Sequence, residues 1–364
     1  MELSPFPHHG PLLPDQVTGR DEAARQLALR LVEHRPTALL APRRYGKTSL
    51  IGHTLHRLEE AGAASAVRVD LFGLASFADF AARLDRALAN THGLLRRTVD
   101  SVAAGLSVRL GVVQIDLRQK PGAAPDPVAM CHGLLDVLIG AAGRDPLVVA
   151  FDEFSDIARV GGLDALLRTH LQEHYQRLGL VFAGSSPSMM RELFAGRSRP
   201  FFAQAEIFEL GPLDQPAVAD IVHRGFAATA RGAGPVAMRA WTMARGHPQR
   251  TMQLADAAWR RTPQGEEATD VAWEGAVADV RAAVDGGFRA VYEELGGAQG
   301  PVLRAIARTG SPFSAAEARF HDLSNSSITL ARDQLVRDGH VVRQGATVRI
   351  VDPLWEDWLV RTFP

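Results

Sequence analysis

Gly46-Lys47-Thr48-Ser49 follows a short apolar run, Thr37 to Ala41, and the turn Pro42-Arg43-Arg44-Tyr45. About a hundred residues on, a second apolar run, VVAFDEF, delivers Asp152 and Glu153 at its end. Phosphate binding needs a loop whose N–H groups converge and which feeds the positive end of a helix. The usual spacing is a glycine, four residues, then Gly-Lys-Thr or Gly-Lys-Ser. Here Ala41 stands at the first glycine position, and a small residue is tolerated there if its φ is negative. Gly46 lets the backbone approach a phosphate without a Cβ in the way. Lys47 can place its charge on β- and γ-phosphates, and Thr48 can offer its hydroxyl to Mg²⁺. Asp152 fits the magnesium-side carboxylate, and Glu153 the base that polarises an attacking water. On the loop alone, a basic surface turn competes with this chemistry. The acid pair decides between them, because it ends a strand where ligands of open parallel sheets collect. Together they point to a P-loop NTPase site for ATP or ADP with Mg²⁺, its loop running through Pro42, Arg43, Arg44, Tyr45, Gly46, Lys47, Thr48 and Ser49.

Lysine carries unusual information in this chain. Only two of the 40 basic residues are lysines, Lys47 and Lys120. A compact ammonium, not a planar guanidinium, is what the turn requires. Other candidates are less specific. Ser185, at the end of LVFAGSS, is placed to complete the surroundings of the attacking water, while Ser186 serves equally well as a helix cap before Pro187. Arg197 and Arg199, in the loop GRSRPFF, are candidates for the cation that transition-state charge calls for; solvated surface residues are the alternative. Arg43 and Arg44 could touch phosphates or the acidic surface of a partner.

Alternating strands and helices must position these groups. Helices are expected from Asp21 to Glu33, Lys47 to Ala61, Phe77 to Ala89, Val128 to Ala142 and Leu163 to Leu178. Strands are expected at 37–41, 66–72, 146–154, 179–186 and 205–210. That order implies an α/β fold, a parallel sheet with crossover helices. Residues 93–126, broken by glycines and prolines, read as an irregular insertion with a β-ribbon around LSVRLGVVQIDLR. Beyond GPLD (211–214) the strands stop and three helices follow: Ala217–Thr229, Val236–Arg245 and Pro248–Arg261. A linker and a long helix (271–295) lead to a tail of helices at 301–309, 314–320 and 326–338 and a hairpin at 340–351, a winged helix-turn-helix order. The expected division is a 1–15 extension, a 16–210 P-loop core, a 211–264 helical lid, a 265–297 linker with long helix, and a 298–364 winged-helix-like domain.

The 364 residues are 46% hydrophobic and 22% charged, with a formal net charge of −1. Such a chain has no bulk electrostatic attraction to nucleic acid or anionic membrane. Its single cysteine, Cys131, rules out an internal disulfide framework, and its apolar neighbours make it a core residue. MELSPFPHHGPLLPDQ lacks the basic start and apolar stretch of a signal peptide. No apolar run reaches the length of a membrane span, so a cytoplasmic location is expected.

The stretches VTGRDEAARQL, APRRYGKTSLI, VVAFDEF, FAGSS and GHPQRTMQL, in that order, resemble the archaeal-type ATPases of the STAND group, relatives of AAA-plus proteins. The resemblance spans residues 16 to 264. It implies a parallel sheet with a central P-loop strand, then a helical lid. It also implies that Gly19 and Arg20 contact the adenine through their backbone, and that Pro248 of Gly246-His247-Pro248 packs on the base or ribose. On physics alone GHP reads as a helix-start turn with Pro248 at the first helical position. Arg250 is a candidate sensor of the γ-phosphate.

From Ala298 to Pro364 eight arginines face seven acids. The candidate recognition helix, SSITLARDQLVRDG, mixes Arg332 and Arg337 with Asp333 and Asp338, a poor face for phosphates. Trp355 and Trp358 read as core anchors. The expected function is an ATP-hydrolysing switch whose lid closure is relayed to the tail, with a protein partner and possible oligomerisation. The alternatives are a nucleotide-responsive DNA-binding regulator and a scaffold that holds nucleotide without turning it over.

Overall fold

The computed structural model describes residues 2–108, 110–111, 126–313, 323–345 and 347–363. Five parallel strands form one sheet: β1 (Thr37–Leu40), β2 (Ser65–Asp70), β3 (Leu147–Asp152), β4 (Leu178–Gly184) and β5 (Glu206–Glu209), in the order β2-β3-β4-β1-β5. Every residue of β1, β3 and β4 is buried, whereas β2 alternates and β5 is largely exposed. Central strands of a parallel sheet are covered on both faces and edge strands are not, which explains the uninterrupted apolar runs at 37–41 and 147–152.

One face, with Leu39, Val148, Ala150 and Val181, packs on α1 (Asp21–Val32) and α2 (Lys47–Glu60). The other, with Leu40, Val149, Phe151 and Phe182, packs on α3 (Phe77–Ala89), α4 (Gly93–Gly105), α5 (Pro127–Ala142), α6 (Leu163–Leu171) and α7 (Pro187–Ala195). Its centre is a cluster of Phe151, Phe154, Phe182, Phe194 and Phe201, with ring centroids 4.7 to 6.1 Å apart. Aromatic pairs at such offsets add about 0.5–1.5 kcal/mol each beyond their buried area.

Two local expectations need correction. Residues 93–105 are helical, not an irregular insertion: Leu95, Val99, Val102 and Ala103 lie on one buried face, and the two glycines sit at the helix ends instead of breaking it. The expected β-ribbon lies mostly outside the described residues. The helix expected over 163–178 stops at Leu171, runs through a 3₁₀ turn at Gln172–His174, and gives way to β4 at Leu178. The chain must reverse within that stretch to bring β4 beside β3, and a continuous helix would overshoot.

Beyond the sheet, α8 (Gln215–Ala227), α9 (Val236–Ala244) and α10 (Pro248–Arg260) share a core with Trp273, Val277 and Val280 from the first half of α11 (Asp270–Glu293). Val291 and Tyr292, in the second half of α11, pack instead on a C-terminal core, and Phe288 touches both. One long helix therefore serves two cores. The C-terminal unit comprises α12 (Gln299–Thr309), α13 (Asn325–Arg337), the antiparallel hairpin β6 (Val341–Gln344) and β7 (Thr347–Ile350), and α14 (Pro353–Thr362). Trp355 and Trp358 are buried in it. The helix expected at 314–320 lies outside the described residues.

The N-terminal segment is tied down at several points. Phe6 is buried in the α8–α10 core, 5.6 Å from the Phe226 ring. The Leu12 N–H donates to Ser49 Oγ at 2.9 Å, and the His53 ring meets the Pro14 carbonyl at 2.7 Å. Phe6→Ala is expected to lower the unfolding free energy by about 3 kcal/mol. Urea denaturation checks this; a loss below about 1 kcal/mol would mean that the segment contributes little to the helical core.

Candidate functional site

The apolar strand β1 must end where the chain turns into α2, and the turn Ala41–Gly46 does this with two left-handed residues, Arg44 (φ 66°) and Gly46 (φ 84°). Ala41 is absent from the positive-φ positions, so the first glycine of the usual spacing is dispensable here. Gly46 caps α2 in a conformation that only glycine adopts without cost. The first N–H groups of α2 are thereby directed at the space above the loop, with the positive end of the helix dipole behind them.

Lys47 is buried, and its Nζ donates to the Ala41 and Pro42 carbonyls at 2.9 and 3.1 Å. Burial pulls its pKa down to about 8, against the opposing pull of Glu153 and Asp152. At neutral pH it remains an ammonium poised in a dry place. Thr48 Oγ1 donates to Asp152 Oδ2 at 2.8 Å, joining the loop to the end of β3. Asp152 is 2% exposed. Its neighbour Glu153 has a left-handed backbone (φ 52°), an uncommon state for a non-glycine residue that concentrates at functional sites. The Glu153 carboxylate accepts the Ser185 N–H at 3.1 Å. Ser185 therefore reaches the site through its backbone, while Ser186 caps α7.

A cavity of about 550 Å³ opens over this loop. Arg43 to Ser49 and Glu153 form its floor; Thr18, Arg20, Pro248 and Gln249 stand on one side, and residues 7–12 on another. Gly19 is not on its wall and lies against Ala217 and Leu213. Arg20 donates to the Tyr45 carbonyl at 3.3 Å, and burial lowers its pKa to about 10, which leaves it charged. Arg44 reaches Gln249 at 3.2 Å. Pro42 contributes its carbonyl to Lys47, and Tyr45 is buried beneath the loop. Thr48 and Asp152 present the hydroxyl and carboxylate oxygens that Mg²⁺ prefers, so the donor set fits that ion. A larger cavity of about 610 Å³, between α4, α5 and α6, includes none of these groups.

Three other candidates are elsewhere. Arg197 is exposed and Arg199 is ion-paired with Glu192; neither lines the cavity. Arg250 turns away from it, its Nε bonded to both oxygens of Asp352 at 3.0 Å and its guanidinium over the Phe288 ring. A buried guanidinium demands a charged partner, and Asp352, the N-cap of α14, supplies one. Cys131 is fully buried with its thiol pushed up to about 12 by that burial, so it is core.

Several groups around the cavity were not anticipated from the sequence. Residues 7–12 carry no motif, and only their packing places them there. Arg68, on β2, donates to Asp152 Oδ2 at 2.8 Å; its one signal was a charge set within the strand AVRVDLF. Tyr45 packs edge-on against the buried His247 ring at 5.0 Å. Gly246 (φ 73°) precedes it, where a Cβ would collide with the Leu213 carbonyl.

Burial pulls the His247 pKa down to about 4, the nearby Asp352 acting the other way. The unfolded chain binds this proton near pH 6.5. Neutral His247 therefore contributes fully above pH 6.5, and stability is lost as pH falls from there toward 4, by about 3 kcal/mol. His247→Asn keeps an acceptor for the Arg250 N–H. The variant should show a stability difference between pH 7 and pH 4.5 smaller than native by about 2 kcal/mol in urea titrations. An unchanged difference would place His247 in water.

No family model and no curated protein sequence matches the chain. Among solved structures, the Walker-type ATPase PABY2304 of Pyrococcus abyssi is similar over 98% of this chain and 99% of its own, with a TM-score of 0.74 and 17% identity. The ORC2 protein of Aeropyrum pernix, described in ADPNP–ADP complexes, is similar over 98% of each chain (TM-score 0.58, 15% identity). The ORC1 protein of the same organism, described in complex with DNA, covers 95% of this chain and 93% of its own (TM-score 0.51, 17% identity). The chain thus has the fold of these proteins, a five-stranded parallel sheet with flanking helices and a largely helical C-terminal region.

Proposed function

We propose that the protein is a magnesium-dependent ATPase of the STAND branch of AAA-plus proteins, acting as a nucleotide-controlled switch. The observation that carries this is the 2.8 Å bond from Thr48 to Asp152, which sets the loop lysine and Glu153 around one cavity. Adenine would lie between the Thr18–Arg20 stretch and Pro248, and the triphosphate along residues 43–49. N–H groups at the start of α2 take phosphate oxygens, and Lys47 exchanges the Ala41 and Pro42 carbonyls for charged ones, a stronger pairing. Magnesium, when bound, neutralises charge on the β- and γ-phosphates; Thr48 and Asp152 are the residues that would hold it. Glu153 accepts the proton of the attacking water at its carboxylate, which the Ser185 N–H keeps in place.

Arg197 and Arg199 stand outside the cavity, so the isolated chain turns over slowly. A second copy or a protein partner would accelerate it by supplying a cation. Closure of the α8–α10 lid would move α10, and the Arg250–Asp352 pair would carry that motion to the C-terminal unit, which we read as a winged helix. A protein contact suits this unit better than DNA. Arg332 and Arg343 both pair with Asp333, leaving little charge for phosphates. The DNA complex of the ORC1 protein remains the support for the alternative. A single buried thiol accords with the cytoplasm.

Calorimetry and phosphate release test the proposal. Lys47→Ala should weaken Mg-ATP binding at least about tenfold. Glu153→Gln should retain binding and slow phosphate release about 10²-fold. A flat native titration would end the nucleotide assignment, and equal rates in native and Glu153→Gln would end the hydrolytic role. Tight binding without any phosphate release would make the protein a nucleotide-holding scaffold.

A further inference from the structure

Three hydrogen bonds hold the Asp152 carboxylate. Its Oδ2 accepts from Thr48 Oγ1 and from Arg68 Nη2, each at 2.8 Å, and its Oδ1 accepts the Glu153 N–H at 3.1 Å. The acid is almost wholly enclosed, with 3% of its side chain exposed, while the arginine side chain is 37% exposed. The two groups differ accordingly in freedom: the carboxylate cannot leave, and the guanidinium can.

Strand geometry explains the difference. β2 is an edge strand whose Arg68 lies in register with Ala150, two residues before Asp152 on β3. Alternation turns Val67 and Val69 into the core and leaves Arg68 and Asp70 on the open side. Beside Arg68 runs a groove of about 520 Å³ between β2 and α3, with Asp70, Asp79, Arg83 and Arg86 on its walls. Asp79 is paired with Arg83, so a guanidinium swinging out would meet water and the Asp70 carboxylate there.

We propose that Arg68 is a charge latch on Asp152, which holds the carboxylate while the site lacks a divalent cation and is displaced when cation and nucleotide bind. This rests on the assignment of the cavity to Mg-nucleotide. A guanidinium and a divalent cation that share one buried carboxylate repel each other across a few ångströms of low dielectric. By linkage, each weakens the other's hold on Asp152 by the same factor. Arg68 is thus a positioning residue that sets how much magnesium the site requires, and it need not touch the nucleotide.

The test titrates Mg²⁺ into full-length protein holding a subsaturating fluorescent ADP, with binding read by anisotropy and no turnover required. The half-saturating Mg²⁺ concentration for Arg68→Met is expected to fall about fivefold or more below native. Nucleotide binding in EDTA should be unchanged, and Arg68→Lys should fall between the two. A midpoint for Arg68→Met equal to or above native overturns the latch. Should Arg68→Met fail to fold, Arg68→Lys decides alone: a lowered midpoint supports the latch and an unchanged one overturns it. Native protein that binds no nucleotide with or without Mg²⁺ overturns the cavity assignment together with the latch. Native binding with identical Mg²⁺ midpoints overturns the latch alone.

Discussion

The hydrogen bond from Thr48 to Asp152 closes a distance of 104 residues and fixes where the loop after β1 stands relative to the end of β3. Everything else near the cavity is arranged around that closure. β4 lies between the two strands in the sheet, so the bond reaches across the C-terminal edge and not along a ladder. It requires a hydroxyl at the first turn of α2 and an acid at the last residue of β3. It also requires a left-handed residue at Gly46, without which α2 would start in another direction.

Charge in a dry environment is the main cost of this arrangement, and the structure meets it with nearby groups. Lys47 is satisfied by two loop carbonyls and by the field of two acids. Asp152 is satisfied from three sides. Removing one partner from such a buried pair typically costs about 3–5 kcal/mol, because the other charge is left uncompensated. Where the C-terminal unit meets the rest, Arg250, 5% exposed, leans in the same way on Asp352. Arg245 and Arg281 pair with Glu356 and Asp357 at 2.7 Å each, but in more solvated and hence weaker contacts. These acids all lie on or just before α14, so one short helix gathers cations from α9, α10 and α11.

The C-terminal unit also reaches the side of the sheet that carries the β1–α2 loop. Val351 shares a core with Ala41, Tyr45 and Leu210, and Leu354 shares one with α8 to α10. Tyr45 therefore carries the loop's position into His247 on one side and into the tail on the other. A shift of the loop by a fraction of an ångström has to be accommodated by all three groups, because packed interiors do not deform continuously.

Read residue by residue, the chain already contained the parallel sheet, the loop with Lys47 and Thr48, and the strand-end acids Asp152 and Glu153. Each is local: apolar runs, a glycine at a turn, and polar residues where a strand ends. The helix at 93–105 is not legible locally, because its end glycines resemble breakers and its apolar face is buried only against α3 and α5. Arg199, a candidate catalytic cation, pairs with Glu192, and Arg250, a candidate sensor, pairs with Asp352. Residues 7–12 carry no motif, and Arg68 offers only a charge set within an apolar strand. Backbone conformation and buried periodicity are decided within a window of neighbours. The partner of a long, charged side chain is decided by whichever opposite charge the completed fold brings within about 3 Å in a dry place, and no window of sequence contains that distance.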